Sequence, residues 1–416
     1  MNSRKLSPQS LLLILTGLNL FNYLDRFVAV QMAEPLKQFF NLTDHQTGQI
    51  NTAFMIGYFL TAPVFGYLGD RITRKWLIAA GILVWSVGTV LSGLATGFVV
   101  LLSCRILVGL GEASYATIGP SLISDSYPPA RRNNALTIFY VAIPVGAALG
   151  YFLGSQIESR LGWRYAFVLA GIPGLLLAGA LLPFREPERG AAESLPKQHL
   201  PKPKISDALK LLRLPDFSLV VWGYVAYTFA LAAFGFWGPS YLERILHMSH
   251  VQAGTYFGVL TGVAGLISTF AGGFAATAWR KRNPAAYSLT LGISTLAAVP
   301  FSLWAFLGDT KFAILAGLAG AILLLFLGTG PVNTLILETV PVNLRATAMA
   351  MSIFMIHMFG DFWSPEITGY LSDHFGGLQH AVLALPFALL VAAGFWIALA
   401  VKTLRQPPSP VPSNSI

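Results

Sequence analysis

Four charged residues sit where the sequence is otherwise apolar: Asp25 and Arg26 in one run, Arg105 and Glu112 in another. An isolated charge in hydrocarbon costs roughly 2.5 kcal/mol or more, so such residues face a cavity and pair with one another. At about 1.5 Å per helical residue, Asp25 lies roughly 20 Å from the inner end of its helix and Arg105 roughly 10 Å from the outer end of its own. In a hydrocarbon core about 30 Å thick those depths coincide. Asp25 and Arg105 are therefore expected to pair, with Glu112 about 10 Å deeper on nearly the same helix face. Arg26, adjacent to Asp25, is expected to point elsewhere. A buried carboxylate gains proton affinity by desolvation and loses it beside an arginine, so an arginine that moves between two states switches proton binding. Asp25 and Glu112 are thus candidate proton carriers. Arg105, with Arg26, is a candidate for holding an anionic headgroup by paired N–H donors. The alternative is a static charge network that only holds the bundle together.

Two further groups have chemistry to offer. His357 and Asp361 are four residues apart and share a helix face, which suits either a proton relay or a hydrogen-bonded packing pair. Gly330, Pro331 and Asn333 are placed to break a helix at mid-depth and present backbone polar groups.

The elements that position these residues follow from composition. Only 11% of the 416 residues are charged and 55% are hydrophobic, whereas soluble domains carry roughly 25% charge. Long continuous apolar runs, such as Ile314 to Leu327, require helices; a β-barrel would show alternating segments of about ten residues. Twelve spans are expected near 10–33, 47–70, 76–96, 98–123, 134–156, 164–184, 216–241, 251–277, 285–307, 312–338, 346–371 and 381–401. Apart from Arg26 and Arg105, the 27 Lys and Arg residues divide unequally: Lys37, Arg160, Arg164, Arg244 and Lys311 fall in loops on one side, and all the rest on the other. By the positive-inside rule both termini are then cytoplasmic, in an inner (plasma) membrane protein. The net charge of +9 is accounted for by topology and anionic lipid headgroups, with no nucleic acid needed. Cys104 is the single cysteine, so no intramolecular disulfide forms. No Walker loop, HExxH pair, nucleophile elbow or Cys/His cluster is present, which argues against an enzyme and against a cofactor.

The chain divides into residues 1–184, a polar linker 185–215, residues 216–401 and a tail 402–416. The halves repeat each other. Ser121-Leu-Ile-Ser-Asp-Ser-Tyr-Pro matches Thr334-Leu-Ile-Leu-Glu-Thr-Val-Pro at an offset that also carries Arg132 onto Arg345, and Gly66 falls near Gly273. Glu338 thereby takes the place of Asp125. Both acids are expected to pair with the arginines that follow them, Arg131 and Arg132 in the first half and Arg345 in the second.

The segment Gly66-Tyr-Leu-Gly-Asp-Arg-Ile-Thr-Arg-Lys75 resembles the GxLxDRxGRK loop signature of the major facilitator superfamily, with Thr73 in the second glycine slot. That resemblance implies an all-α membrane protein of two pseudo-symmetric six-helix bundles. Gly66 would let the second helix approach a neighbour, and Asp70, with Arg71 and Arg74 beside it, would meet the N-terminus of the eleventh helix and latch the inner gate. Asn22-Tyr-Leu-Asp-Arg26 and the stretch from Arg105 to Ile118, with Pro128 to Gly154, are similar to the spinster-like branch. The branch implies export of lysolipids or sphingoid phosphates, and the superfamily implies a path lined by helices one, four, seven and ten; coupling to protons and a monomeric state are expected beside it. On the seventh helix Tyr227, Phe234 and Trp237 would then form an apolar wall, joined by Asn333 from the tenth; core packing is the alternative. Gly146, Gly150 and Gly154 recur every four residues and make a flat face for close packing, and the resemblance implies that this fifth helix rubs against the eighth during alternation. Export of drugs or small organic anions is the competing reading.

Overall fold

The computed structural model describes residues 4–5, 7–69, 71–181, 184–187, 209–341 and 344–405. Most of the expected linker, the end of the tail, and Asp70 lie outside the described residues. Apart from one parallel two-residue pairing, β1 (Arg4–Lys5) with β2 (Phe184–Arg185), the fold is all helix.

The first helices are α1 (Pro8–Gln31), α2 (Ala33–Phe40), α3 (Asp44–Gly69), α4 (Arg74–Gly93), α5 (Phe98–Ser126), α6 (Pro129–Leu161) and α7 (Trp163–Leu181). There follow α8 (Pro215–Leu246), α9 (His250–Val259), a π turn (Leu260–Ala264), α10 (Gly265–Arg280), α11 (Ala286–Leu307), α12 (Lys311–Phe326) and α13 (Thr329–Glu338). The last are α14 (Arg345–Ile356), a second π turn (His357–Asp361), α15 (Ser364–His374), α16 (Leu378–Ala381) and α17 (Ala384–Arg405). Ten helical stretches are long and apolar enough to cross a membrane. The shorter apolar α7 and the interrupted α14–α15 passage bring the described passages to the expected twelve. Side chains such as Val99, Phe274 and Phe312, each about three-quarters exposed, belong on the lipid face, because a bilayer removes any penalty for apolar exposure.

Local chemistry sets the helix ends. Ser7 accepts a hydrogen bond from the Ser10 N–H and Pro8 occupies the first turn of α1, where its missing N–H is harmless. Ser249 and Gln252 form a reciprocal capping box at the start of α9. Two features differ from the sequence reading and a third, the broken tenth passage, agrees with it. The amphipathic α2 is an added element. The eleventh passage is two helices joined through a π turn, because π geometry absorbs an extra residue that hydropathy cannot register. The tenth is interrupted at Leu327–Gly328, just before Gly330 and Pro331.

The helices gather into two compact units. The first contains residues 1–199, 232–266 and 361–382; the second contains 200–231, 267–360 and 383–416. In the first unit α3 and α5 meet backbone to backbone. A Cβ on Gly57 would lie 2.0 Å from the Ile106 carbonyl oxygen, and one on Gly109 would lie 1.9 Å from that of Phe54, so neither position tolerates a side chain. The Gly146, Gly150 and Gly154 stripe packs against α1, not the eighth helix: a Cβ on Gly150 would fall 2.7 Å from the Leu24 carbonyl oxygen. The contact with the eighth passage is made by that passage's own glycines. Gly254, Gly258 and Gly262 abut Ser155, Tyr151 and Ala148 of α6. The fifth passage thus does meet the eighth, while its own glycine stripe serves α1. In the second unit Trp396 is fully buried and donates its indole N–H to the Val220 carbonyl at 3.2 Å, while Lys402 pairs with Asp216 at 2.5 Å.

Candidate functional site: a buried charge cluster and two sets of ion pairs

The four intramembrane charges converge in the first unit, but with different partners from those expected. Arg26 donates from Nη2 and Nε to Glu112 Oε2 at 2.6 and 3.2 Å. The expected Asp25–Arg105 pair is not made. Asp25 turns instead to α4, where the Thr89 hydroxyl donates to its Oδ2 at 2.6 Å. The physical reason is angular: residue counting gives depth, but Asp25 and Arg26 stand about 100° apart around α1, and it is Arg26 that faces α5. Aromatic rings surround the Arg26 guanidinium, with centroids at 5.0 Å for Tyr23, 4.7 Å for Phe54 and 5.6 Å for Tyr58. Such cation–π contacts strengthen as water is removed.

Arg105 lies over the Phe54 ring at 5.2 Å and is 3% exposed. Its Nε and Nη1 make no hydrogen bond within the protein, and neither do Asp25 Oδ1, Glu112 Oε1 and Asn22 Nδ2. Asp25 and Glu112 are 1% and 0% exposed. Buried donors and acceptors are almost always paired, so this knot of unmet groups on α1 and α5 is built to receive something polar.

At the end of the first unit where α1 begins, Arg74 is the hub. It donates to Asp125 Oδ2 and Glu186 Oε1, each at 2.6 Å, and to the Ser121 hydroxyl at 3.2 Å. In the second unit Arg280 donates to Glu338 Oε2 at 3.1 Å. Both acids thus take an arginine that precedes them, and the expected partners Arg132 and Arg345 have side chains outside the described residues. Spacings of 51 and 58 residues gave no hint of this, because the partner comes from the end of another helix. Arg71 is exposed and lies over the Tyr67 ring at 3.5 Å. Arg131 is exposed, the side chains of Arg132 and Arg345 lie outside the described residues, and Gly66 has only an ordinary contact with Thr117.

The expected aromatic wall is largely committed to packing. Trp237 is fully buried and donates to the Pro365 carbonyl at 2.9 Å. Tyr227 is buried and donates its hydroxyl to the Leu325 carbonyl at 2.8 Å. Phe234 tilts against Phe257 at 5.4 Å. Asn333 is exposed, with its amide turned back on the Thr329 carbonyl. His357 and Asp361 bound the second π turn, where the Asp361 carbonyl accepts from Asn51.

A second charged assembly occupies the opposite, distal end of the first unit. Arg244 at the end of α8 grips both carboxylate oxygens of Asp44 at 2.8 Å and also pairs with Glu34. Lys37 pairs with Asp44, and the Ser372 hydroxyl donates to it at 2.5 Å. The Asp373 carboxylate accepts from the backbone N–H groups of Asp44 and His45 at 2.9 and 2.8 Å, capping α3 from another passage. His45 Nε2 lies 2.9 Å from Glu366 Oε1, and Thr52 donates to the other oxygen at 2.7 Å. Sequence reasoning registered Lys37 and Arg244 only as loop charges. A usable signal existed, since Glu34, Asp44, Glu158, Glu243, Glu366 and Asp373 all fall at helix ends on that side.

Twelve apolar passages, a buried charge cluster within the first unit and ion pairs at helix ends mark a multi-pass membrane protein. The sequence pattern of the Major Facilitator Superfamily matches residues 15–365. Protein spinster homolog 1 of Xenopus laevis is 34% identical over 423 residues, covering 94% of this chain and 80% of its own. The Homo sapiens protein of the same name is 37% identical over 388 residues, with 86% and 72% coverage. The crystal structure of a bacterial homolog to the human lysosomal transporter Spinster, inward-facing and unoccupied, superposes with a TM-score of 0.87 at 25% identity, over 97% of this chain and 99% of that one. A D-xylose–proton symporter shares the fold, with a TM-score of 0.73 at 18% identity over 96% and 98% of the two chains. The chain belongs to the Major Facilitator Superfamily, in its spinster-like branch. That family consists of transporters, not enzymes.

Proposed function

We propose that this protein is a proton-coupled secondary transporter that works by alternating access and carries an amphiphilic anionic or zwitterionic substrate of the lysolipid or sphingoid phosphate type. The observation that carries the reading is the Arg105 guanidinium, buried with two N–H donors unmet beside half-satisfied Asp25 and Glu112. A phosphate or carboxylate headgroup supplies the charged acceptors that these buried N–H groups lack. Asp25 and Glu112 are the proton sites: each keeps one oxygen uncommitted, so each can take a proton without first breaking a bond. Arg26 releases Glu112 when the headgroup or a proton competes for it. Both termini face the cytoplasm of an inner-membrane protein that acts as a monomer among membrane lipids, and the distal assembly is then the outer gate, closed in an inward-facing state like that described for the bacterial homolog.

Uptake of a labelled lysolipid or sphingoid phosphate into proteoliposomes, with and without an imposed pH gradient, tests the reading. Saturable gradient-driven flux lost in Asp25→Asn supports it. Flux of drugs or small organic anions alone supports the competing exporter reading instead.

A further inference from the structure

The distal assembly contains more acid than its fixed cations neutralise. Six carboxylates gather there, Glu34, Asp44, Glu158, Glu243, Glu366 and Asp373; Lys37 and Arg244 pair with them, and Arg160 and Arg164 lie at the same end, Arg164 over the Phe39 ring. Two histidines enter these ion pairs, each held between passages, while His247 and His374 lie at neighbouring helix ends. His45 of α3 is faced from α15 by Glu366 at 2.9 Å, by the Tyr370 ring at 5.8 Å and, through its backbone, by Asp373. Its neighbour Asp44 is already engaged by Lys37 and Arg244, and Gln49 of its own helix shares Glu366. His250 of α9 is faced by Glu243 of α8 at 2.8 Å, Glu158 of α6 at 3.8 Å and Gln31 of α1 at 3.3 Å, with Glu34 of α2 acting on Glu243 from behind.

We propose that this latch is a second proton-binding site, separate from the Asp25–Glu112 cluster, in which His45 and His250 take up protons and thereby hold the distal side shut. Imidazole is the side chain that changes charge between about pH 5 and 8. Neutral, each histidine can donate one N–H to one carboxylate; protonated, His250 donates to Glu243 and attracts Glu158 at once, and His45 converts its bond to Glu366 into a charge-assisted one. Each bond ties different passages together, so both protons favour the same closed arrangement. Acid on that side tightens the latch, and alkali removes the two imidazolium charges from Glu366, Glu243 and Glu158 and loosens it. Arg244 holds the centre at every pH, while the histidines set how firmly.

The inference rests on the alternating-access reading, and the test separates the two. Spin labels placed at the exposed positions Gln38 and Phe375, as Gln38→Cys and Phe375→Cys in a Cys104→Ala background, report the width of the distal end by electron–electron distance in lipid nanodiscs. The expected result is one short distance near pH 5 and a growing population of longer distances toward pH 8. His45→Gln with His250→Gln, which keep a donor but cannot gain charge, are expected to abolish that pH response, and Arg244→Gln to populate the long distance at every pH. A pH response that persists in the double histidine variant overturns the inference, as does a wild-type distance that ignores pH while Arg244→Gln opens. If Arg244→Gln also shows only the short distance, alternating access fails together with it.

Discussion

Arg244 and Asp44, 200 residues apart in sequence, form a two-pronged ion pair in which both terminal guanidinium nitrogens and both carboxylate oxygens are engaged at 2.8 Å. The pair joins the end of α8 to the start of α3, and Asp44 also receives Lys37 and Ser372. Hydrogen bonds to charged groups contribute roughly 1.5–3 kcal/mol each, discounted here because Arg244 is about one-fifth exposed.

Asp44→Asn is expected to raise amide exchange at the start of α3 by about tenfold, corresponding to roughly 1.4 kcal/mol. Hydrogen-exchange mass spectrometry reads this directly. Unchanged exchange would mean that the Asp373 cap alone fixes this helix start.

Glu112→Leu strands the Arg26 charge in a buried site and is expected to lower stability by about 3–5 kcal/mol, whereas the double replacement Arg26→Met with Glu112→Leu recovers most of the loss. Thermal unfolding in detergent supplies the comparison. Additive losses in the double variant would show that the two side chains do not act as a pair.

Arg105→Lys preserves the charge but removes the planar donor fork. Transport affinity for a phosphate-bearing substrate is expected to fall by about tenfold or more, the value of roughly one charged hydrogen bond, with helix content unchanged. Equal Michaelis constants for the two proteins would remove Arg105 from headgroup binding.

Gly150→Val brings a branched side chain to a point where even a Cβ meets the Leu24 carbonyl oxygen at 2.7 Å. Separation of α6 from α1 is expected to cost about 1–3 kcal/mol or more. Gly17, with nothing within 4 Å of its Cβ position, is the control: Gly17→Ala is expected to be neutral or to stabilise by up to about 1 kcal/mol. Comparing melting temperatures of the two variants tests the packing assignment.

The spans were legible because a bilayer demands about 20 apolar residues per helix, a signal carried by each run without knowledge of its neighbours. The clustering of Asp25, Arg26, Arg105 and Glu112 was legible for the same reason, since a charge in an apolar run stands out alone. Partner choice was not. Whether Asp25 or Arg26 faces α5 turns on one step of about 100° around α1, finer than any depth estimate from residue counts. Nor was the turn of Trp237 toward the Pro365 carbonyl, because an aromatic side chain that lines a path and one that bolts two helices together have the same composition. The distal assembly escaped because its bonds span up to 329 residues, and each member alone reads as an ordinary polar helix end. The two π turns leave no trace in hydropathy at all.

The two helix-end clasps, Arg74 with Asp125 and Arg280 with Glu338, say something about descent. The loop signature that surrounds Arg74 is blurred in the second half, where no acid follows Gly273, yet an arginine from the corresponding loop still reaches the acid at the end of the corresponding helix. After a duplication, letters drift freely so long as the tether between two helix ends is re-made by whichever neighbouring residue can span the gap. What the two halves inherited in common is thus a mechanical linkage, and the ancestry of such proteins is better traced by asking which helix ends hold hands than by aligning their loops.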